Sequence, residues 1–319
     1  MDGSILKTPQ QKNRSTLLEF ILIGFSDVPN LQEFLFVVFL IMYLIIVMSN
    51  SFIIIITRTD PSLQTPMYFF LGNFSFLEIC YVSVILPRLL TSLYRQDRSI
   101  SIIACATQMY LFLCLGATEC LILTVMAYDR YVAICNPLLY PVIMNNSFCI
   151  QLATGCWVFG VPVHIGFTYW IFSLPFCGSN QLNHFFCDVP PVVSLACGDT
   201  LMLEVVIYVI ALLVVTVPFM LILVSYVKII STILKLPSAT GRAKAFSTCS
   251  SHLIIVALFF GSGIITYLRP KSSYSAVTDK FLSLFYTVLT PLFNPIIYCL
   301  RNKDVMIALK KFLLRRFIL

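Results

Sequence analysis

The sequence predicts an all-α membrane protein, a seven-transmembrane helix bundle with a short amphipathic helix after the last span. Three observations predict it. The 319 residues are 59% hydrophobic and only 11% charged, against roughly 25% charged in a soluble globular domain. Apolar runs long enough to cross a bilayer core recur around residues 34–57, 67–93, 100–128, 148–172, 201–230, 252–268 and 281–300. Adjacent opposite charges, Asp129 and Arg130, stand followed by Tyr131 where the third run ends, and charge at the end of a membrane helix marks a switch or an anchor.

Residues 1–30 are mixed polar and apolar. They lack a basic region followed by a small-residue cleavage site, so the first span is expected to serve as its own signal anchor. Placing the N-terminus outside puts 12 of the 21 basic residues on the inner side, Arg58, Arg130, Lys228 and Lys235 among them, in the sense of the positive-inside rule. Asn13-Arg14-Ser15 is a glycosylation acceptor in that outer segment. Asn73-Phe74-Ser75 falls mid-span and Asn145-Asn146-Ser147 on the inner side, where neither is expected to be modified. The second, third and seventh runs carry Glu78, Glu119 and Asn294, and the fourth carries His164.

Inner connections are expected near 58–65, 136–147 and 232–245, and a long outer segment, 173–200, without an obvious helix. Of twelve cysteines, Cys105, Cys177, Cys187 and Cys197 fall on the outer, disulfide-permissive side. Four cysteines allow three pairings. After the last span, Lys303 to Phe317 reads as an amphipathic helix, with Val305, Ile307, Leu309, Phe312, Leu313 and Phe317 as apolar surface. Such a helix lies along the inner interface. The chain thus divides into an extracellular segment 1–30, a seven-span domain 31–302 and an inner helix with the C-terminus 303–319. The net charge of +7 suits anionic lipid at the inner face, and no basic-aromatic pattern argues for nucleic acid.

Four ordered motifs carry a resemblance: Pro66-Met67-Tyr68-Phe69-Phe70-Leu71, the segment Met126 to Cys135, Lys244 to Leu253, and Pro291-Leu292-Phe293-Asn294-Pro295-Ile296-Ile297-Tyr298. The chain resembles the vertebrate odorant receptors, rhodopsin-like G-protein-coupled receptors, and within them the terrestrial type more than the fish-like type. The phrase His184-Phe185-Phe186-Cys187-Asp188 looks like the family's long outer loop. Two departures stand out: Phe260-Gly261 where members often carry Tyr-Gly, and Ser49-Asn50 where they often carry Gly-Asn.

The resemblance implies an odorant receptor that takes small volatile, mostly neutral molecules in the outer half of the bundle. It would activate a stimulatory olfactory-type heterotrimeric G protein at the plasma membrane and raise cyclic AMP. It pairs Cys105 with Cys187 and Cys177 with Cys197. It makes Asp129, Arg130 and Tyr131 the coupling switch, with Tyr226 and Tyr298 regrouping around Arg130 and with Phe260, Asn294 and Pro295 in the moving parts. Arg130 could pair with Asp129 in one state and with backbone or tyrosine acceptors in another. Proline at 218 and 295 frees backbone carbonyls and kinks the helix, which gives a span a place to pivot.

The third-span face Met109, Phe112, Leu113, Gly116 and Ala117 follows helical spacing. Alone such a stripe is more often packing than pocket; the resemblance makes it a pocket wall, opposed by Ile207, Ile210, Ala211 and Val214 on the fifth span, Ile264 and Tyr267 on the sixth and Thr287 on the seventh. Phe112 stands where an amine would need a carboxylate, and Arg269 precedes Pro270 at an outer end facing water. The ligand is therefore expected to be neutral, with one hydrogen bond from Tyr267 or Thr287. Glu78 and Glu119 match the family's sodium site. A proton relay, as in an ion-coupled transporter or channel, and a neutral hydrogen-bonded pair are the alternatives. No other cofactor is expected, and no nucleophile, base and oxyanion constellation supports an enzyme.

Overall fold

A computed structural model of the chain describes residues 19–25, 29–177, 179–198, 200–235, 237–267 and 276–317. Asn13 and Arg269 lie outside the described residues, as does the Tyr267 side chain. Seven helical spans are long and apolar enough to cross a membrane. The first four are α1 (Gln32–Thr59), α2 (Pro66–Arg95), α3 (Ile102–Cys135) and, after a one-turn α4 (Tyr140–Ile143), α5 (Asn146–Ser173). The fifth is α7 (Leu201–Ala211) and α8 (Val217–Leu234), joined by a π turn over Leu212–Thr216. The sixth is α9 (Ala239–Tyr267), and the seventh is α10 (Ala276–Leu284) and α11 (Thr290–Arg301), joined by a π turn over Phe285–Leu289. The helix α12 (Lys303–Phe317) follows, and the short α6 (Val189–Val193) lies between the fourth and fifth spans.

Local chemistry sets the boundaries. Pro66 opens α2 at a position where its missing N–H is not needed. The Ser101 hydroxyl accepts from the Ala104 N–H at 3.2 Å and so caps α3, and Asn145 caps α5 through the Phe148 N–H at 3.0 Å. Gln96 ends α2 in the left-handed region, φ 55°. The π turn Leu212–Thr216 lies just before Pro218, whose ring removes a backbone donor.

Four expectations need correction. The sixth span begins at Ala239, not near 252, because the polar Lys244 to Ser251 stretch continues the helix beyond the apolar run. Asp129, Arg130 and Tyr131 lie inside α3, which runs on to Cys135. The outer segment 173–200 contains α6 and the strand β3 (Gln181–Leu182). On α12 Val305 and Ala308 are buried and Leu309 and Phe312 half-buried, while Ile307 is 51% exposed, since it sits off that i, i+3, i+4, i+7 face; the Leu313 and Phe317 side chains lie outside the described residues.

α3 is the central rod, packed on α2, α5 and α8. Its buried face meets a core that holds Phe74, Leu77, Val82, Leu123, Ile222 and Phe260. Large apolar side chains such as Met48, Val158, Leu213 and Val224 point outward, as in a helix bundle solvated by hydrocarbon.

One end of the bundle is closed by loop structure. Cys105 at the start of α3 is bonded to Cys187, and Cys177 to Cys197. The strand β1 (Glu19–Leu22) pairs antiparallel with β2 (Ser99–Ser101) and parallel with β3. This sheet buries Phe20, Leu22 and Ile100 over a satellite core with Cys105, Met109 and Phe167. The opposite end carries Arg130 and α12 and is open.

Candidate functional site

Beneath the disulfide-bearing lid lies a cavity of about 120 Å³. Tyr81 of α2 borders it, with Phe112, Leu113, Gly116, Ala117 and Cys120 of α3 and His164 and Phe167 of α5. Val189, Ile207, Ile210, Ala211, Val214 and Val215 close the fifth-span side. Phe259, Phe260, Gly263 and Tyr286 complete the wall. Two features make the space. A Cβ built at Gly116 or Gly263 would meet nothing within 4 Å, and the π turn Leu212–Thr216 carries Val214 and Val215 on the cavity side.

Of the residues expected here from the sequence, Phe112, Leu113, Gly116, Ala117, Ile207, Ile210, Ala211 and Val214 border the cavity. Three do not. Met109 is fully buried in the satellite core under the lid, one turn too close to the disulfide. Ile264 is half-buried one residue past Gly263. Thr287 donates its hydroxyl hydrogen to the Ser283 carbonyl at 2.6 Å, leaving none to donate to a ligand. Tyr81, Cys120, His164 and Tyr286 were not foreseen. Each is one polar group in an apolar span, and one-face periodicity on α3 says nothing about which neighbours face it.

The lid is bonded, not merely laid on. The Cys187 N–H donates to Gln108 Oε1 at 2.9 Å, and Gln108 Nε2 donates to the Val84 carbonyl at 3.0 Å. Phe186 packs edge-on to Phe112 at 5.0 Å between ring centroids. His184 Nε2 lies 3.0 Å from Ser283 Oγ, which lies 2.9 Å from the Tyr286 hydroxyl, and Tyr286 donates to Asp188 Oδ2 at 3.0 Å. Burial pushes the His184 imidazole down to about 3, aided by Lys280 and opposed by the bond to the Phe186 carbonyl. A second cavity of about 530 Å³ lies on this lid side, with His184, Asp188, Glu204 and Asp279 in its wall, and shares Val189 and Ile207 with the first.

At the open end, Arg130 borders a cavity of about 750 Å³ with Tyr68, Met126, Ser247, His252, Tyr298 and Asp304. Asp129 does not pair with Arg130. Its Oδ1 accepts from the Tyr140 hydroxyl at 2.8 Å, and no ion pair joins it to Arg130. Tyr226 does not reach Arg130 either. His252 Nε2 lies 3.1 Å from the Leu123 carbonyl, which can only accept, so that nitrogen carries hydrogen. Its Nδ1 then accepts from the Tyr226 hydroxyl at 2.9 Å. Tyr298 does border the Arg130 cavity, with its buried hydroxyl unpartnered among the described residues. Tyr131 is half-buried against Tyr128, and Phe260 packs on Phe219 at 5.3 Å.

Between the two ends, Asn294 Nδ2 donates to Glu78 Oε1. Glu78 Oε2, Asn294 Oδ1 and Ser75 Oγ are buried without partners among the described residues, and Glu119 is 1% exposed. Orphaned oxygens of this kind fit a hard monovalent cation. No group of three His, Cys, Asp or Glu side chains that could hold a metal ion occurs among the described residues.

Seven spans, a lidded apolar cavity at one end and a cleft bordered by Arg130 at the other define a multi-pass membrane protein. The olfactory receptor family model matches residues 39–316. The chain is 61% identical over 296 residues to human Olfactory receptor 10AG1, covering 93% of this chain and 98% of that protein. It is 52% identical to human Olfactory receptor 10A7 over 300 residues, 94% of this chain and 95% of that one. With human Olfactory receptor 5A1 the identity is 47% over 304 residues, 95% and 96% of the two chains. The chain belongs to the olfactory receptor family.

Proposed function

We propose that this odorant receptor binds small, mostly neutral volatiles in the cavity around Gly116 and activates a stimulatory, olfactory-type heterotrimeric G protein, raising cyclic AMP. The lid would face outward at the plasma membrane, with the N-terminus extracellular and Arg130 inside. The observation that carries the reading is the small lidded cavity, whose wall is almost entirely apolar and holds no charged side chain. Affinity there must come from burial at about 25 cal/mol per Å², so a small ligand binds modestly. The cleft around Arg130 supplies the surface for the G protein, and α12 would rest on inner-leaflet lipid.

Glu78 and Glu119, with Asn294 beside them, would hold a sodium ion, which supplies positive charge between two carboxylates that cannot both stay ionised unaided. The test is a cyclic-AMP reporter in cells expressing the full chain. Odorant-driven cyclic AMP that Arg130→Ala abolishes, with surface staining retained, is the expected result. Odorant-driven ion or solute flux without cyclic AMP would favour a transporter.

A further inference from the structure

The cavity wall has one hydrogen-bonding side chain whose donor and acceptor roles are set by the protein. His164 is 3% exposed and borders the cavity from α5. Its Nδ1 lies 2.6 Å from the Gly160 carbonyl, one turn back on the same helix. A carbonyl can only accept, so Nδ1 carries hydrogen. No acidic side chain borders the cavity, and an isolated charge in an apolar site is expensive, so the ring is neutral. Its Nε2 is then a bare acceptor. It is the ring nitrogen not used by Gly160 and has no hydrogen-bond partner among the described residues.

The rest of the wall narrows the ligand further. The Tyr286 hydroxyl is engaged by Asp188 and Ser283. Tyr81 makes no hydrogen bond to a described residue, but a phenol can donate or accept and so does not discriminate. Phe112, Phe167, Phe259 and Phe260 present rings around the space, which suits edge-to-face contact with another ring. A cavity of about 120 Å³ is close to the size that holds benzene, roughly 150 Å³ in a well-studied engineered case.

We propose that His164 is the polar anchor of the odorant cavity and that the receptor selects small aromatic alcohols and phenols, whose hydroxyl donates to His164 Nε2. This rests on the reading of the Gly116 cavity as the odorant site. A methyl ether of the same shape leaves that nitrogen unpaired, and so does the hydrocarbon.

The test uses the full chain in a cyclic-AMP reporter, with phenol, benzyl alcohol, their methyl ethers and toluene as probes. Wild type should answer the hydroxyl compounds at roughly tenfold lower concentration than the ethers. His164→Phe, which keeps an aromatic ring and deletes the acceptor, should close that gap while the ethers still act. His164→Gln, which restores an acceptor oxygen, should reopen it. An ether as potent as its alcohol in wild type would overturn the proposal, as would a hydroxyl preference that survives His164→Phe. If His164→Phe fails to reach the surface, the wild-type ranking alone still decides. Silence to all five probes, with other odorants active and lost in Gly116→Leu, would sink the ligand class and leave the cavity standing. Odorant responses indifferent to Gly116→Leu would sink the cavity reading itself, and with it the anchor.

Discussion

Tyr140, in the one-turn helix after the third span, donates a hydrogen bond to Asp129 at 2.8 Å, so the acidic partner of Arg130 is held by a neighbouring segment and not by the arginine beside it. Burial, with the Asp129 carboxylate, pushes the Tyr140 hydroxyl above its ordinary range, so it stays a donor at any physiological pH. Arg130 is left facing the open cleft beside Tyr298.

Removing that donor leaves a buried carboxylate short of a partner, at a cost of about 1–3 kcal/mol. Tyr140→Phe is expected to lower the maximal odorant-evoked cyclic AMP while the half-maximal concentration barely moves, because the ligand cavity is untouched. A concentration-response curve with surface staining checks both numbers. A shifted midpoint with an unchanged maximum would mean that Tyr140 acts on the ligand end.

His252 ties three spans together at the open end. It reaches the Leu123 carbonyl on the third and the Tyr226 hydroxyl on the fifth, while itself sitting on the sixth. His252→Phe should release the sixth span, so ligand-independent cyclic AMP is expected to rise several-fold, and Tyr226→Phe should raise it less because the Leu123 bond survives. Basal reporter output normalised to surface expression measures this. Lower basal output in both variants would place these bonds in the signalling form instead.

The spans and the wall positions on α3 were legible because apolar length and 3.6-residue spacing are local properties. So were Ile207, Ile210 and Ala211, which the family resemblance placed opposite that wall. What was not legible depends on contacts between distant residues. His164 reads as one polar residue in an apolar span until Gly160 and the cavity fix its two nitrogens. Tyr140 reads as loop until Asp129 is found above it. The start of α9 was misplaced because hydropathy measures where lipid could be, whereas the helix continues as polar turns to Ala239.

Gly116 gives the steric test of the cavity. Since a Cβ there meets nothing within 4 Å, Gly116→Ala should fold and express normally, and even favour the helix slightly, glycine being about 1 kcal/mol worse than alanine in helix interiors. Gly116→Leu should also reach the surface, yet its isobutyl group would occupy much of the roughly 120 Å³. Responses are expected to persist in Gly116→Ala, with large odorants weakened first, and to vanish in Gly116→Leu. An unchanged odorant profile in Gly116→Leu would mean that ligands bind elsewhere.

The lid should respond to acid through His184. In the folded protein its imidazole is held at about 3 against an ordinary 6.5, chiefly by burial. The unfolded or lifted loop therefore binds a proton that the docked loop refuses. Above 6.5 there is no penalty; below it, each pH unit removes up to about 1.4 kcal/mol of docking stability until the folded value is reached. The sign is thus a loss on acidification, in the window from 6.5 down to about 3. Thermal unfolding of the purified receptor in detergent should show a melting temperature that falls as pH drops from neutral into the mildly acidic range. In His184→Gln, which keeps a hydrogen-bonding group near Ser283 and cannot take up a proton, the curve should start lower at neutral pH and run flatter. A variant as acid-sensitive as the wild type would assign the effect to other carboxylates. A wild-type melting temperature that stays level across the window would show that the loop at His184 does not unlatch before the bundle melts.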